Sequence, residues 1–377
     1  IETVKAACDK HGIAYVDLYN DEYVKANFVN SKHLPDNLHP NAAGYDIISK
    51  VITEWMESLV LTDDWRNHVF VDAVNGNNLG EGDETSPWKS LKDAVDRIAD
   101  SGTVTVVGDY ALANTNKLGV KGKTVTITGG TLDLTDVEVF NVVGNIILDD
   151  ITVISNGTVI FANGNELTVS ATVKTDGYIS EIYGGSNGGM VKDTTLTLLA
   201  GNYTHIYGGG KNDTVLGNTN VYVGGSVNSS IDVSDHGISE RVFGGSNNGS
   251  VLGDTNVTIA DDAKSSVVYG GGNGADSIVK GSTNVTVNGG SVMGYYGGSY
   301  AGTVYNCNLV MNDGYVEQIF GGCQNTSMTG DTNITVNGGK VTRRIYGGCY
   351  NEADYAIFSG PDYFTDYFVN GNTTVTI

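Results

Sequence analysis

One pattern of apolar and small residues recurs through the second half of the chain. An aliphatic residue and an aromatic residue precede two glycines, first as Ile182-Tyr183-Gly184-Gly185 and last as Ile345-Tyr346-Gly347-Gly348. Most of the seven copies follow one another after 24 to 27 residues. A second motif, clearest as Thr255-Asn256-Val257-Thr258, recurs in phase with the first. A fixed period of this size predicts a solenoid, in which each unit buries its apolar face against its neighbours.

Strand patterns also precede the repeats. Apolar and polar residues alternate in short runs such as Thr124-Val125-Thr126-Ile127-Thr128, as they do in a half-buried strand. Further upstream, a strand and a glycine-rich loop lead to a short helix with Leu91, Ala94 and Val95 on one face. We therefore expect a mainly β domain over residues 69–377. Its predicted parts are an initial strand and capping helix at 69–100, irregular coils at 103–175 and aromatic-Gly-Gly repeats at 176–377.

The strand, loop and helix of residues 69–100 resemble the initial segment of pectate-lyase-like right-handed β-helix proteins. In those proteins such a helix caps the open end of the solenoid. The resemblance implies a right-handed parallel β-helix for the larger part of the chain.

The first 61 residues follow a different pattern. Residues 1–11 have apolar positions at helical spacing, Ile13–Leu18 is typical of a buried strand, and a polar loop follows. An amphipathic helix comes next, because apolar residues recur at intervals of three and four: Ile47, Ile48, Val51, Ile52, Trp55, Met56 and Leu59. This order of elements is that of the end of an α/β (flavodoxin-like) domain, with residues 62–68 as a linker.

Strand parity predicts where the repeated aromatic rings point. The residue before each aliphatic position is mostly polar, as in Glu181, His205 and Arg241, and neighbouring side chains alternate faces. The aliphatic column should then point inward and the aromatic column outward, where it could stack on sugar rings of a glycan. The alternative is a bend at Gly-Gly that makes the rings an interior stack. The column comprises Tyr183, Tyr207, Phe243, Tyr269, Tyr296, Phe320 and Tyr346.

Asparagines form a second repeated column, at a turn of each unit. We interpret them as a stacked amide ladder rather than a ligand site. They are Asn220, Asn256, Asn284, Asn308 and Asn333.

Composition narrows the classes of partner. The 377 residues include 52 glycines and four prolines, which suits a turn-rich β protein. A net charge of −22 argues against nucleic acid and anionic membrane surfaces as partners. No apolar run is long enough for membrane insertion, and we expect a monomer without a cofactor or metal. An extracellular or cell-surface location, in a bacterium, is expected.

The four cysteines do not form a disulfide framework or a Cys-x-x-Cys metal site. Cys8 and Cys307 stand apart in the sequence, whereas Cys323 and Cys349 both follow Gly-Gly in successive repeats. We interpret Cys323 and Cys349 as stacked small residues, with a bridge between them as the alternative.

Asp36 and His39 are the candidate catalytic residues. Their spacing of three lets a carboxylate and an imidazole share one turn, so that the imidazole Nε2 could face a serine hydroxyl. The segment Asp36-Asn37-Leu38-His39-Pro40-Asn41-Ala42-Ala43-Gly44-Tyr45 resembles the last block of the SGNH (GDSL-type) hydrolases. The resemblance, which covers about residues 1–60, implies that Asp36 is the triad acid and His39 the general base. Asn37 stands where that family often has glycine.

The SGNH family places its serine, glycine and asparagine blocks before the histidine block, so we expect the chain to be a fragment of a longer hydrolase. Gly210-Lys211-Asn212-Asp213 has the letters of a family block, but it follows His39 and lies in a repeat turn, which we interpret as coincidence. The expected function is de-esterification of a polysaccharide or another acylated glycan. Two alternatives stay open: a non-catalytic adhesin or structural β-helix, and a β-helix polysaccharide lyase or hydrolase. The solenoid has few arginines and no repeated acidic cluster beside them, which argues against the last alternative.

Overall fold

The computed structural model describes residues 16–36, 39–58, 66–112, 117–229, 241–350 and 369–377. The chain divides into two compact units, Ile1–Trp65 and Arg66–Ile377. Each unit is described by itself below.

The described part of the first unit is helical. Helix α1 spans Glu22–Asn27, α2 spans Asn30–His33 and α3 spans Ala42–Ser58. Asp21 caps α1, since its side chain accepts a hydrogen bond from the Val24 amide at 2.9 Å. Helix α3 is the predicted amphipathic helix.

The predicted strand Ile13–Leu18 is not formed over its described part. Residues 1–15, with the predicted first helix and Cys8, lie outside the described residues. Val16 and Asp17 belong to no regular element, and Leu18 begins a turn. The Asp17 carboxylate accepts from the Asn20 side chain at 2.7 Å and from the Asn20 amide at 3.2 Å. This local capping by an acidic side chain favours a turn over an extended strand.

The second unit is a parallel β-solenoid of the right-handed type with about nine turns, which confirms the mainly β solenoid predicted from the repeats. One helix, α4 at Leu91–Arg97, lies near its start. The strands of the first half are β1 His68–Asp72, β2 Gly102–Val107, β3 Asp109–Ala111, β4 Lys117–Leu118, β5 Thr124–Thr128, β6 Thr131–Asp133, β7 Val139–Val142, β8 Asn145–Leu148, β9 Thr152–Phe161, β10 Glu166–Val169, β11 Lys174–Tyr183, β12 Met190–Val191, β13 Thr194–Leu198 and β14 Tyr203–Tyr207. Those of the second half are β15 Thr214–Val215, β16 Thr219–Val223, β17 Asn228–Ser229, β18 Arg241–Phe243, β19 Ser250–Val251, β20 Thr255–Ile259, β21 Lys264–Tyr269, β22 Ile278–Val279, β23 Ser282–Tyr296, β24 Asn306–Phe320, β25 Met328–Thr329, β26 Thr332–Val336, β27 Lys340–Tyr346, β28 Val369–Asn370 and β29 Thr373–Thr376.

Each turn of the solenoid adds parallel strands to the same sheets. One run of pairings carries the Thr-Asn motif and proceeds through β10, β13, β16, β20, β23, β24, β26 and β29. A second run carries the aromatic-Gly-Gly motif and proceeds through β9, β11, β14, β18, β21, β23, β24 and β27. A smaller sheet contains β12, β15, β19 and β22. Equivalent positions of successive repeats therefore lie directly above one another.

The main core fills the interior of the solenoid with the aliphatic columns. Ile182, Ile206 and Val242 of the first motif are fully buried there, together with Val221 and Val257 of the second motif. The inward direction predicted for these columns is confirmed. Near the start of the solenoid, α4 buries Leu91, Ala94 and Val95 in the same core.

A hydrogen bond joins the two repeated motifs. The first threonine of the Thr-Asn motif donates its hydroxyl to the carbonyl of the first glycine in a following Gly-Gly pair. Thr219 reaches the Gly244 oxygen at 2.6 Å, and Thr255 reaches the Gly270 oxygen at 2.6 Å. These threonines are fully buried, so the bond satisfies a backbone carbonyl that water does not reach. This contact explains why the two motifs run in phase.

Close stacking explains the first glycine of each pair. A Cβ on Gly208 would lie 2.2 Å from the Gly244 oxygen, and a Cβ on Gly244 would lie 2.2 Å from the Gly270 oxygen. Only a residue without a side chain fits there.

Candidate functional site

The structure brings the two predicted catalytic residues into contact. The Asp36 Oδ2 atom lies 2.7 Å from His39 Nδ1, and Asp36 Oδ1 accepts a hydrogen bond from the His39 backbone amide at 2.7 Å. Both side chains are more than half exposed, at 54% for Asp36 and 71% for His39. One carboxylate thus holds both the backbone and the ring of the histidine.

This contact determines which ring nitrogen can do chemistry. A carboxylate at Nδ1 favours a proton on that nitrogen, which leaves the Nε2 lone pair able to accept a proton from a hydroxyl. The negative charge also stabilises the imidazolium that would form. The pair therefore has the composition and geometry of the acid and base of a hydrolytic triad.

The residues after His39 fix the loop to the helices. The Asn41 side chain accepts from the Gly44 amide at 2.9 Å and so caps α3. The same side chain donates to the Lys32 carbonyl at 2.9 Å, and the Asn41 amide donates to the His33 carbonyl at 2.9 Å. Asn41 thereby joins the start of α3 to the end of α2, and Pro40 restricts His39 to an extended backbone.

Gly44 is closely packed in the same place. A Cβ at this position would lie 3.0 Å from the His33 carbonyl oxygen and 3.1 Å from both the Phe28 ring and Pro40. His33 itself is buried, and its Nδ1 accepts from the Val29 amide at 2.8 Å. His33 is a structural histidine, whereas His39 is the exposed one. Asn37 and Leu38 lie outside the described residues.

The aromatic column does not face solvent, so its predicted outward direction is wrong. Six of the seven predicted rings are buried, and with Phe161 they form an apolar cluster separate from the main core: Tyr183, Tyr207, Phe243, Tyr269, Tyr296 and Phe320. The rings stack face to face, for example Tyr183 on Tyr207 at 4.7 Å between centroids and 6° between planes. Only the seventh ring, Tyr346, is substantially exposed, at 46%.

Strand alternation does not determine exposure here, because a strand face that points away from the core is not always a solvent face. The rings do lie in a different cluster from the aliphatic column, as alternation requires. However, the segment after each Gly-Gly pair folds over them, and its residues also stack from repeat to repeat, from Asn187 through Lys211 and Asn247 to Asn273. The Asn247 amide donates to the Tyr183 hydroxyl at 3.2 Å, which shows how close this segment lies. Burial raises the pKa of Tyr183 and Tyr207. Stacked rings inside the protein offer no face to a sugar.

The predicted asparagine ladder is present. Each side-chain amide donates to the side-chain oxygen of the asparagine in the preceding repeat, at 3.0 to 3.1 Å from Asn256 to Asn333. A second ladder of Asn288, Asn312 and Asn337, with bonds of 2.8 Å, was missed. Its spacing of 24 and 25 residues was the signal that could have revealed it. Both ladders use their amide groups to hold successive turns together.

Three basic residues of the solenoid pack against acidic or aromatic side chains. Lys211 lies 3.1 Å from Glu181, Arg343 lies 3.3 Å from Glu317, and the Arg241 guanidinium lies 4.4 Å from the centre of the Tyr300 ring. Over the part of the chain that the structure describes, no group of three or more histidine, cysteine, aspartate and glutamate side chains could hold a metal ion. The Asp36–His39 pair is therefore the best candidate for chemistry among these residues.

Comparison with family models, with curated proteins and with solved structures gave no match for this chain. Within the described ranges, none of the helices is both long enough and apolar enough to cross a membrane.

Proposed function

We propose that residues 1–61 are the acid–histidine end of an SGNH-type ester hydrolase, and that the protein removes ester groups from a polysaccharide outside the cell. The observation that supports this proposal is the 2.7 Å contact between Asp36 Oδ2 and His39 Nδ1, in a loop directly before an amphipathic helix. Two other residues of the block have structural roles in the same place: Asn41 caps the helix, and Gly44 lies in close packing.

In this proposal the nucleophilic serine comes from residues N-terminal to Ile1. His39 Nε2 removes the proton from the serine hydroxyl as the oxygen attacks the ester carbonyl. Asp36 keeps the ring oriented and stabilises its positive charge. His39 then returns the proton to the departing alcohol, and water hydrolyses the acyl-enzyme by the same route.

Hydrolysis of a nitrophenyl ester by the full-length protein tests this proposal. His39→Ala should lower kcat by about three to four orders of magnitude, and Asp36→Asn should lower it by a comparable factor, because each removes a member of a triad. His68→Ala is the matched control, since His68 is an exposed histidine in the solenoid that contacts Thr105. Unchanged hydrolysis in His39→Ala would refute the proposed role.

A second candidate function is that of a non-catalytic surface protein in which the solenoid is a structural or adhesive stalk. One observation favours it: the repeated rings, asparagines and threonines all make contacts between successive turns. Co-sedimentation of the whole chain with insoluble polysaccharides separates the two. Binding that His39→Ala leaves intact, in a protein without esterase activity, would favour the stalk.

A further inference from the structure

The position after several of the Gly-Gly pairs holds a side chain that accepts a hydrogen bond, and these positions form a column of hydrogen-bond acceptors. Ser246 Oγ accepts from the Gly210 amide at 3.3 Å, and Ser299 Oγ accepts from the Gly272 amide at 3.1 Å. Each side chain thus serves the backbone of the preceding repeat. Gly210 and Gly272 occupy the same position in two other repeats, so glycines interrupt the column there.

Two cysteines continue this column at its C-terminal end. Cys323 Sγ accepts from the Ser299 amide at 3.4 Å, and Cys349 Sγ accepts from the Cys323 amide at 3.2 Å. The thiols stand where serine hydroxyls stand in earlier repeats. Serine is therefore a replacement that the site already tolerates.

The backbones around the two cysteines lie directly above one another. The Gly322 amide donates to the Gly348 carbonyl at 3.0 Å, and the Tyr350 amide donates to the Cys323 carbonyl at 2.8 Å. Paired strands lie about 4.8 Å apart, which falls within the Cα separation of about 4.4 to 6.8 Å that a disulfide needs. The two thiols lie close enough to shift each other's pKa.

The surroundings give the two thiols different properties. Cys323 is fully buried, whereas Cys349 is partly exposed. The hydrogen bond with Cys323 lowers the pKa of Cys349 and raises that of Cys323. Cys307 lies in the same apolar cluster, but it contacts Met328 at 3.8 Å, and burial raises the pKa of its thiol to about 12. Cys349 is thus the more exposed of the two stacked thiols and the one whose pKa is lowered, which makes it the first target of an oxidant.

We propose that Cys323 and Cys349 are an oxidative modification site, at which a peroxide converts two stacked thiols into a disulfide that joins successive turns of the solenoid. The Cys349 thiolate attacks hydrogen peroxide: an S–O bond forms, the O–O bond breaks, and hydroxide leaves and becomes water. Cys323 then attacks the sulfur of the sulfenic acid on Cys349. The S–S bond forms, the S–O bond breaks, and hydroxide leaves with the Cys323 proton as a second water.

Peptide mapping by mass spectrometry after treatment with hydrogen peroxide tests the site. We expect one cross-linked peptide that contains Cys323 and Cys349, about 2 Da lighter than its two reduced parts and separated by a reductant. The cross-link should be absent in Cys349→Ser and unchanged in Cys307→Ser. In Cys323→Ser, Cys349 should instead be trapped as a sulfenic acid by dimedone.

Serine at these positions matches Ser246 and Ser299, so both variants should fold as the parent protein does. Circular dichroism of each variant checks this. A bridge that involves Cys8 or Cys307 would overturn the proposal. Oxidation of Cys349 to sulfinic acid without any cross-link would overturn it as well.

Discussion

At the scale of single residues, Asp213 shows how the repeat compensates for a missing side chain. Gly210 occupies the acceptor column without a side chain, and a Cβ there would lie 2.2 Å from an oxygen of Asp213. The Asp213 carboxylate fills this space and accepts from the Ser186 amide at 2.7 Å and the Ser186 hydroxyl at 2.8 Å. Its other oxygen, Oδ1, is buried and lacks a hydrogen bond to any of the residues that the structure describes. Burial raises the pKa of this carboxyl.

Asp213→Asn should therefore flatten the pH dependence of stability. The folded state holds the Asp213 proton more tightly than the unfolded chain does. The contribution of this group to the free energy of unfolding is then largest below the unfolded pKa of about 3.9, and it decreases as pH rises through the folded pKa. Asparagine keeps an acceptor for Ser186 and never becomes charged. In denaturant titrations from acidic to neutral pH, the free energy of unfolding of Asp213→Asn should increase relative to that of the parent as pH rises. The free energy of unfolding of Asp213→Ala should be lower than that of the parent at every pH.

Thr255→Val tests the bond between the two motifs. Valine has nearly the same shape, but it leaves the buried Gly270 carbonyl without the hydroxyl that reaches it at 2.6 Å. The free energy of unfolding should fall by about 1 to 3 kcal/mol. Thr258→Val is the control on the same strand, because Thr258 is only partly buried and the change should cost about 0.5 kcal/mol or less. Equal losses in the two variants would refute the assigned role.

At the scale of structural elements, the aromatic stack is a second apolar layer alongside the main core. Phe243 is fully buried between Tyr207 and Tyr269, with ring centroids 4.9 Å away on each side. Removal of this ring takes away two stacking contacts and leaves a cavity that no other side chain of the column fills.

Phe243→Ala should consequently lower the free energy of unfolding by about 3 to 5 kcal/mol in a denaturant titration. Tyr315→Ala is the control: that ring is 40% exposed on the solenoid, and its loss should cost about 1 kcal/mol or less. A Phe243→Ala protein as stable as its parent would mean that the ring is not in a packed stack.

The elements also show what sequence patterns can and cannot predict. Alternation correctly placed Ile182 and Val221 in the core and the rings on the other side of the strand. It could not show that the segment containing Asn247 folds over that side, because parity says nothing about what a later turn covers. The sequence also could not show that the Asp213 carboxylate fills the space beside Gly210, because that contact depends on the path of one turn.

At the scale of the whole molecule, the candidate chemistry and the repeated architecture belong to different units of the chain. The spacing of Asp36 and His39 was enough to predict their contact, because a loop of three residues limits where the two side chains can go. The solenoid was predictable for another reason: one period, repeated many times, determines the stacking of every turn. The repeated rings, asparagines and threonines hold that stack together, so function is better sought at the irregular positions.

The most direct test is to find which residue of the full-length protein reacts with a fluorophosphonate, an irreversible probe for activated serines. We predict a single labelled serine on the N-terminal side of Ile1, identified by mass spectrometry, with labelling lost in His39→Ala and kept in His68→Ala. Labelling of a residue in the solenoid, or labelling that His39→Ala leaves unchanged, would contradict the account.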